Sequence, residues 1–222
     1  MIKAILFDLD GTLLDDERFT YISKRIEGKK LGYNVKKEDV LKSLGMSKEN
    51  SIAYYESLYG KDFPTEKLGQ YRFIYILNYF KKHGVVYKPY VKAIFKYCKK
   101  NNIKMIICTS STREKVDAYL EIDPFLKGMD GIISGDQIKN GKPNPDIYLK
   151  GLEMAQTLKE ETLVIEDSLN GVIAGLNGGF TTIMIPDEVQ PNEYILNSNA
   201  LIMKNLKEVI SYINSINNND RI

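Results

Sequence analysis

Two aspartates near the start of the chain, Asp8 and Asp10, follow the apolar run 4–7. Such a run predicts a short strand that is buried on both faces. In an open parallel sheet, ligands bind beyond the carboxyl ends of the strands, and both aspartates fall at such an end; Gly11 then lets the backbone turn sharply. Two crowded carboxylates need a cation or a shared proton. Mg²⁺ fits because it takes hard oxygen ligands and binds a phosphate beside a carboxylate, whereas a strand end merely capped by acids is the structural alternative.

Hydroxyl and cationic side chains follow two later predicted strands. Thr109, Ser110 and Ser111 come after the second strand. Their hydroxyls and backbone amides, at a turn into a helix, suit a phosphate, although the same residue types are also common helix N-caps. Lys142 follows the third strand, in a loop stiffened by two prolines that hold it as a fixed positive charge. The position of this lysine favours a phosphate contact.

Two adjacent acids, Glu166 and Asp167, follow the fourth predicted strand. Burying two acids together is costly unless a metal neutralises them, so they are candidate metal ligands. Gly171 and Gly175, one turn apart in the next helix, are expected to let that helix pack closely against its neighbours. Strands that alternate with helices in this way predict a parallel sheet with right-handed crossovers. The predicted strands are 4–7, 104–108, 131–134, 162–165 and 181–185.

The segment 15–85 carries a helical pattern and no strand signal. It is far longer than an ordinary connection between a strand and a helix. Glycines stand where its predicted helices end, as is common at helix C-termini. We therefore predict a small α-helical insert after the first strand, with helices at 15–31, 37–44, 47–59 and 65–83.

Four segments together resemble the signatures of one enzyme family. In order and context, DLDGT (8–12), TSS (109–111), KPNPD (142–146) and EDS (166–168) are similar to the four motifs of the haloacid dehalogenase superfamily in its phosphatase form. The helical insert resembles the C1-type cap of that superfamily, so the resemblance covers nearly the whole chain. It implies an α/β fold with a Rossmannoid core, a parallel sheet with helices on both faces, formed by 1–14 and 86–222, and an α-helical cap domain formed by 15–85.

The resemblance also implies a role for each motif residue. Asp8 would be the nucleophile that forms an aspartyl-phosphate, and Asp10 would be the general acid and base. The implied cofactor is Mg²⁺. The implied phosphate contacts are Gly11, Thr109, Ser110 and Lys142, and the implied metal ligands are Asp8, the backbone carbonyl of Asp10, Glu166 and Asp167.

KPxPD followed by EDS further resembles the branch that holds β-phosphoglucomutase and many small sugar-phosphate phosphatases. Where that mutase pattern has threonine and histidine, this chain has Asp16 and Thr20, and the cap-loop pattern K-G-x-S-R is matched at Gly45 but not at Lys48. Lysine cannot make the forked contact of arginine to a second phosphate. We therefore predict a phosphatase for a small phosphorylated metabolite such as a sugar phosphate, with these four cap residues as substrate contacts. A phosphosugar mutase is the alternative.

A catalytically silent binding or regulatory protein is a further alternative, which the presence of Asp8, Asp10 and Asp167 disfavours. A net charge of +2 gives no basis for nucleic-acid binding. Cys98 and Cys108 show neither a disulfide framework nor CxxC spacing, which favours a reducing compartment. No apolar run reaches the length of a membrane span. We expect a cytoplasmic monomer that binds neither nucleic acid nor a membrane.

Overall fold

The computed structural model describes residues 1–44 and 48–219. Within these residues, a six-stranded sheet is formed by β1 (Ala4–Phe7), β2 (Lys104–Cys108), β3 (Gly131–Ile133), β4 (Thr162–Glu166), β5 (Thr181–Met184) and β6 (Leu201–Ile202). The strand order is β3-β2-β1-β4-β5-β6, and every neighbouring pair is parallel. The predicted parallel α/β fold is confirmed, and β1 lies in the middle of the sheet.

The central strands are apolar because both faces of the sheet are covered. Along β1, Ile5 and Phe7 belong to one apolar cluster, whereas Ala4 and Leu6 belong to another. Successive side chains of a strand point to opposite faces, so the two clusters lie on the two sides of the sheet. A continuous apolar run, rather than an alternating one, is what a parallel strand between two helical layers requires.

The register of the sheet brings the strand ends together. Phe7 pairs with Ile107 of β2 and with Ile165 of β4. The chain therefore leaves these three strands at nearly the same level, and the segments that follow them meet at one edge of the sheet. This edge holds the residues that the sequence singled out for chemistry.

Helices connect these strands and cover the sheet. The five predicted strands are each found within one residue of their predicted ends, but β6 and the helix at 193–196 were not predicted, because two and four residues are too short to show a period. The helices are α1 (Arg18–Lys30), α2 (Lys37–Ser43), α3 (Lys48–Tyr59), α4 (Thr65–His83), α5 (Val91–Lys100), α6 (Arg113–Ile122), α7 (Asp146–Ala155), α8 (Leu169–Asn177), α9 (Glu193–Leu196) and α10 (Leu206–Asn219).

The described part of the segment between β1 and α5 contains the four helices α1 to α4 and no strand, as the sequence predicts. It has an apolar cluster of its own, formed by Val35, Val40, Tyr55, Phe63 and Leu68, and α1 packs along α4. The chain enters and leaves this segment through two paired stretches, in which the Asp15 amide donates to Val86 O and the Lys88 amide donates to Leu13 O, both at 2.9 Å. The division into a core and a cap domain at 14/15 and 85/86 stays a prediction.

Along the described parts of the chain, no helix combines the length and the apolar character needed to cross a bilayer.

Candidate active site

The turn after β1 places Asp8 and Asp10 at the centre of the sheet edge. The Asp8 amide donates to Ile165 O at 2.9 Å, so the carboxyl group leaves the sheet directly at the end of β1. Gly11 has a φ of 80°, and a Cβ atom there would lie 2.2 Å from Oδ2 of Asp167. Both the left-handed backbone and the close approach of a carboxylate require glycine at this position. The glycine therefore allows acids from two strand ends to come together.

Lys142 bridges the acids of two strands. Its Nζ donates to Asp8 Oδ1 at 2.5 Å and to Glu166 Oε1 at 2.6 Å, and also to the carbonyl of Cys108 at 3.1 Å. Burial alone would lower the pKa of Lys142, but the two carboxylates outweigh burial and raise it above the ordinary lysine value. The lysine therefore stays charged beside the predicted nucleophile, in agreement with the fixed positive charge predicted for this loop.

Glu166 is held on both of its oxygens. Oε1 also accepts from the Tyr148 hydroxyl at 2.7 Å, while Oε2 accepts from the amides of Asp167 and Ser168 at 3.1 Å and from Ser168 Oγ at 3.0 Å. Burial would raise the pKa of Glu166, but Lys142 and these hydrogen bonds lower it below its usual value. Gly171 makes room for this group, because a Cβ atom there would lie 1.7 Å from Glu166 Oε1.

A third acid completes a buried anionic cluster. Ligand oxygens of Asp8, Glu166 and Asp167 all lie within 4.8 Å of one another, and Asp167 Oδ1 accepts from Thr12 Oγ1 at 3.0 Å. When all three carboxylates are ionised, the one ammonium of Lys142 leaves two negative charges uncompensated. Burial and the neighbouring carboxylates raise the pKa of Asp167 well above its usual range, and burial raises that of Asp8 despite Lys142.

The cluster fits a divalent cation such as Mg²⁺. Its hard carboxylate oxygens are the ligand type that Mg²⁺ prefers, and a charge of +2 would balance the two uncompensated negative charges of the ionised cluster. Asp8 and Asp167 are the better placed of the three acids, since both oxygens of Glu166 already accept hydrogen bonds. The side chain of Asp10 is not part of the cluster, and the prediction for this residue concerned its backbone carbonyl.

Asp10 is held instead by the loop after β2. Its Oδ2 accepts from Ser111 Oγ at 2.7 Å and from Thr109 Oγ1 at 3.2 Å, and Thr109 Oγ1 in turn accepts from the Ser111 amide at 3.0 Å. Ser110 points elsewhere: it is exposed, and its carbonyl lies against Gly135, where a Cβ atom would come within 2.4 Å. The predicted acid and base is thus contacted by Thr109 and, at the shorter distance, by Ser111, which was not among the predicted site residues. The phosphate contacts of Thr109 and Ser110 stay predictions.

Asp16 lies beneath the same turn. It is 0% exposed, its Oδ1 accepts from the Gly11 amide at 3.1 Å, and its Oδ2 accepts from Nη2 of Arg72 at 3.0 Å. Burial and the nearby Asp10 raise the pKa of Asp16 well above its usual range, against the lowering effect of Arg72. A role for Asp16 in substrate contact remains a prediction, and its observed contacts are with the turn and with α4.

The other three predicted substrate contacts lie in the helical segment. Thr20, in α1, is 4% exposed. Lys48 is the first residue of α3, and Gly45 lies outside the described residues. The predicted roles of Thr20, Gly45 and Lys48 as substrate contacts therefore stay predictions.

Two site residues had signals of different strength in the sequence. Arg72 of α4 falls on the same stripe as Leu68, Ile76 and Phe80, which are 1%, 1% and 0% exposed, so a cation interrupts an otherwise apolar face. A single cation on an apolar helix face could have identified Arg72 as a candidate site residue. Tyr148 carried no such signal, because a buried aromatic residue at the start of a helix is more often part of the core.

Comparisons with known proteins identify the family of this chain. The sequence model of the haloacid dehalogenase-like hydrolases matches residues 5–185. The chain is 26% identical to the phosphorylated carbohydrates phosphatase of Thermotoga maritima, over 97% of this chain and 100% of that protein, and 25% identical to the pyrophosphatase PpaX of Bacillus mycoides, over 87% and 88%.

Solved structures share the fold. The structure of CbbY from Rhodobacter sphaeroides in complex with phosphate is similar with a TM-score of 0.78 and 23% identity, covering 94% of this chain and 96% of that one. β-Phosphoglucomutase from Clostridium difficile gives a TM-score of 0.74 and 21% identity, covering 97% and 96%. With the family model matching most of the chain, this protein belongs to the haloacid dehalogenase-like hydrolases.

Proposed function

We propose that this enzyme hydrolyses a small phosphomonoester, such as a sugar phosphate, with Mg²⁺ and through an aspartyl-phosphate on Asp8. Its class as a phosphatase follows from the family and from those curated relatives that are named as phosphatases. One observation carries the finer proposal. The buried carboxylate of Asp8 stands at the end of the central strand, beside a fixed ammonium and within an acid cluster that lacks two positive charges.

Asp8 suits the role of nucleophile. Its carboxylate oxygen would attack phosphorus, and the bond from phosphorus to the leaving oxygen would break, giving an aspartyl-phosphate that water then hydrolyses. Lys142, which contacts Asp8 Oδ1, places a positive charge next to the oxygens of the transferred group. Charge on those oxygens is what a phosphoryl-transfer site must neutralise.

Asp10 suits the role of acid and base. It would protonate the leaving alkoxide and later accept a proton from the attacking water. The hydroxyls of Ser111 and Thr109 orient its Oδ2, so the carboxyl group is held in one position beside Asp8. A positioned group of this kind transfers protons more effectively than one that rotates.

Mg²⁺ would be held by Asp8 and Asp167, with Glu166 and the carbonyl of Asp10 as the further predicted ligands. When bound, it supplies positive charge to the phosphate oxygens and balances the surplus of the acid cluster. Glu166 also holds Lys142 in place through its Oε1.

The proposal is tested by phosphate release from a panel of phosphomonoesters, with Mg²⁺ and with a chelator. Release that requires Mg²⁺ and is lost in Asp8→Asn supports it. A matched control is Asp117→Asn, which removes the same charge from an exposed helical pair with Arg113. Equal release without Mg²⁺, or from Asp8→Asn, would contradict it. Conversion of β-glucose 1-phosphate with a bisphosphate primer, without net phosphate release, would establish the mutase instead.

A further inference from the structure

Tyr148 lies in the first turn of α7 and reaches the acid cluster from below. The residue is 0% exposed, its hydroxyl donates to Glu166 Oε1 at 2.7 Å, and Nζ of Lys142 lies 5.1 Å from the centre of its ring. Lys142 and Tyr148 belong to one short segment, because the loop that carries the lysine leads directly into α7. The tyrosine therefore contacts both members of the ion pair between Lys142 and Glu166.

The donors around Glu166 occupy its carboxylate. Oε1 accepts from Lys142 and Tyr148, and the two residues after Glu166 supply three donors to Oε2. An ionised carboxylate offers about two lone-pair positions on each oxygen. Both positions of Oε1 are thus taken. In the described part of the chain, Asp8 and Asp167 each accept from a single side-chain donor.

This difference decides which acids are available to a cation. A metal at the cluster would be bound through Asp8 and Asp167, while Glu166 is held on Lys142. Few carboxylates suit Mg²⁺, which keeps several waters, binds a substrate phosphate and demands a near-octahedral arrangement. Ca²⁺ takes more oxygen ligands, often both oxygens of one carboxylate, in a more flexible arrangement. A third available carboxylate would therefore favour Ca²⁺ over Mg²⁺.

We propose that Tyr148 is a positioning residue that sets the metal preference of the site, by holding Glu166 on Lys142 and away from the cation. This role deepens the function proposed above and rests on its Mg²⁺ site. Without the hydroxyl, one position on Glu166 Oε1 loses its donor, and Lys142 alone holds that oxygen. The carboxylate is then released to act as a third ligand, beside Asp8 and Asp167.

The ring and the hydroxyl of Tyr148 can be separated by substitution. The ring belongs to the apolar cluster on one side of the sheet, where its centre lies 6.4 Å from that of Phe180. The hydroxyl instead contacts a carboxylate of the candidate active site. Tyr148→Phe therefore keeps the packing of the ring and removes the hydrogen bond to Glu166.

The test is calorimetric titration of the metal-free protein with Mg²⁺ and, separately, with Ca²⁺. In Tyr148→Phe, the ratio of the two dissociation constants should change by about tenfold in favour of Ca²⁺, which is the lower end of the effect of substituting groups that hold metal ligands. Ca²⁺ should accordingly inhibit Mg²⁺-dependent phosphate release at a lower concentration in this variant than in the wild type.

Two further variants distinguish this role from a purely structural one. Tyr55 is also 0% exposed, and its hydroxyl is hydrogen-bonded to Ser43 Oγ at 2.7 Å within the helical segment. Tyr55→Phe should leave the ratio of dissociation constants unchanged. In a Glu166→Gln background, Tyr148→Phe should no longer change the ratio, because the change depends on the released carboxylate. A purely structural hydroxyl would lower the melting temperature in Tyr148→Phe and leave the ratio as it is.

The outcomes separate failure of this role from failure of the proposed function. An unchanged ratio in Tyr148→Phe, or a change that persists in the Glu166→Gln background, would overturn the role of Tyr148 whatever the enzyme hydrolyses. The expected change, in a wild type that releases no phosphate with Mg²⁺, would support the role of Tyr148 and overturn the phosphatase. A wild type that binds neither cation would overturn both.

Discussion

The sheet side and the helical side of the candidate site differ in how their polar groups are satisfied. On the sheet side, Lys142 contacts two carboxylates, and Glu166 accepts from Lys142, Tyr148 and the two residues that follow it. On the helical side, Thr20 Oγ1 and Arg72 Nε have no partner in the part of the chain that is described. Lys142 and Glu166 are held in place before any ligand binds, whereas the helical side leaves these two groups and the acceptor Glu17 Oε2 without a partner among the described residues.

This difference separates chemistry from recognition. Groups that stabilise the charge of a transferred phosphoryl group act best when they are fixed in advance. Groups that recognise the rest of a substrate are satisfied only when it is bound, and they lower stability until then. Substitutions on the sheet side should therefore affect both folding and catalysis, whereas those on the helical side should affect mainly which substrate is used.

The largest effect is expected for Asp8→Asn. Loss of the nucleophile should lower kcat by at least about 10³-fold, as the removal of a nucleophile does in other hydrolases that form covalent intermediates. Phosphate release and single-turnover labelling measure it. A variant that retained more than a tenth of the activity, with the Asp117→Asn control unchanged, would show that the sheet side does not supply the nucleophile.

Next in size is the stability change in Lys142→Met. Removing the cation leaves Asp8 and Glu166 buried without their common partner, which should lower the free energy of unfolding by about 3 kcal/mol or more in metal-free protein. Lys24→Met, which breaks no ion pair in the described chain, should lower it by less than about 1 kcal/mol. Urea unfolding measures both, and equal losses would remove the contrast between the two sides.

A smaller effect is expected from the metal. Mg²⁺ at a hundred times its dissociation constant should stabilise the folded protein by about 2.7 kcal/mol, because it balances the acid cluster. Thermal unfolding with and without a chelator measures this. Asp167→Asn should remove most of the effect, and Asp117→Asn should leave it unchanged; a shift of equal size in both variants would place the metal elsewhere.

The smallest effect concerns pH. Burial raises the pKa of Glu17 to about 7, opposed by Arg72 and aided by nearby acids. Because its folded-state pKa lies above the ordinary value, ionisation costs stability, and the metal-free protein should be less stable at pH 8 than at pH 6 by about 1 kcal/mol. Glu17→Gln should remove this difference in urea unfolding. A difference of the same size in Glu17→Gln would assign it to other groups.

The chemical motifs could be read from the sequence because each one is local. An apolar run followed by acids marks a strand end, and parallel strands bring their carboxyl ends to one edge of the sheet. Asp8, Lys142 and Glu166 were predicted in this way from three separate segments, and the structure brings them into direct contact. The short strand β6 was missed because two residues carry no periodic signal.

Other features depend on which way a side chain points. Of the three hydroxyl residues after β2, Thr109 and Ser110 were the predicted phosphate contacts, and the backbone of the loop decides that Ser111 contacts Asp10 while Ser110 is exposed. Gly171 was expected to serve helix packing, yet its missing side chain leaves room for the carboxylate of Glu166. Such choices follow from how a loop or a helix is placed against its neighbours in the tertiary structure, which a local residue pattern does not show.

By itself, then, the sequence determined the parallel α/β fold, the helical segment after β1 and the acids and lysine at the strand ends. The tertiary structure alone decided that Arg72 meets Asp16, that Lys24 donates to the Tyr55 hydroxyl, and that Thr20 is buried without a partner in the described chain. The physical reason is distance along the chain. Contacts within a strand end are set by neighbouring residues, whereas the meeting of α1, α4 and the catalytic turn is set by how whole helices pack on the sheet.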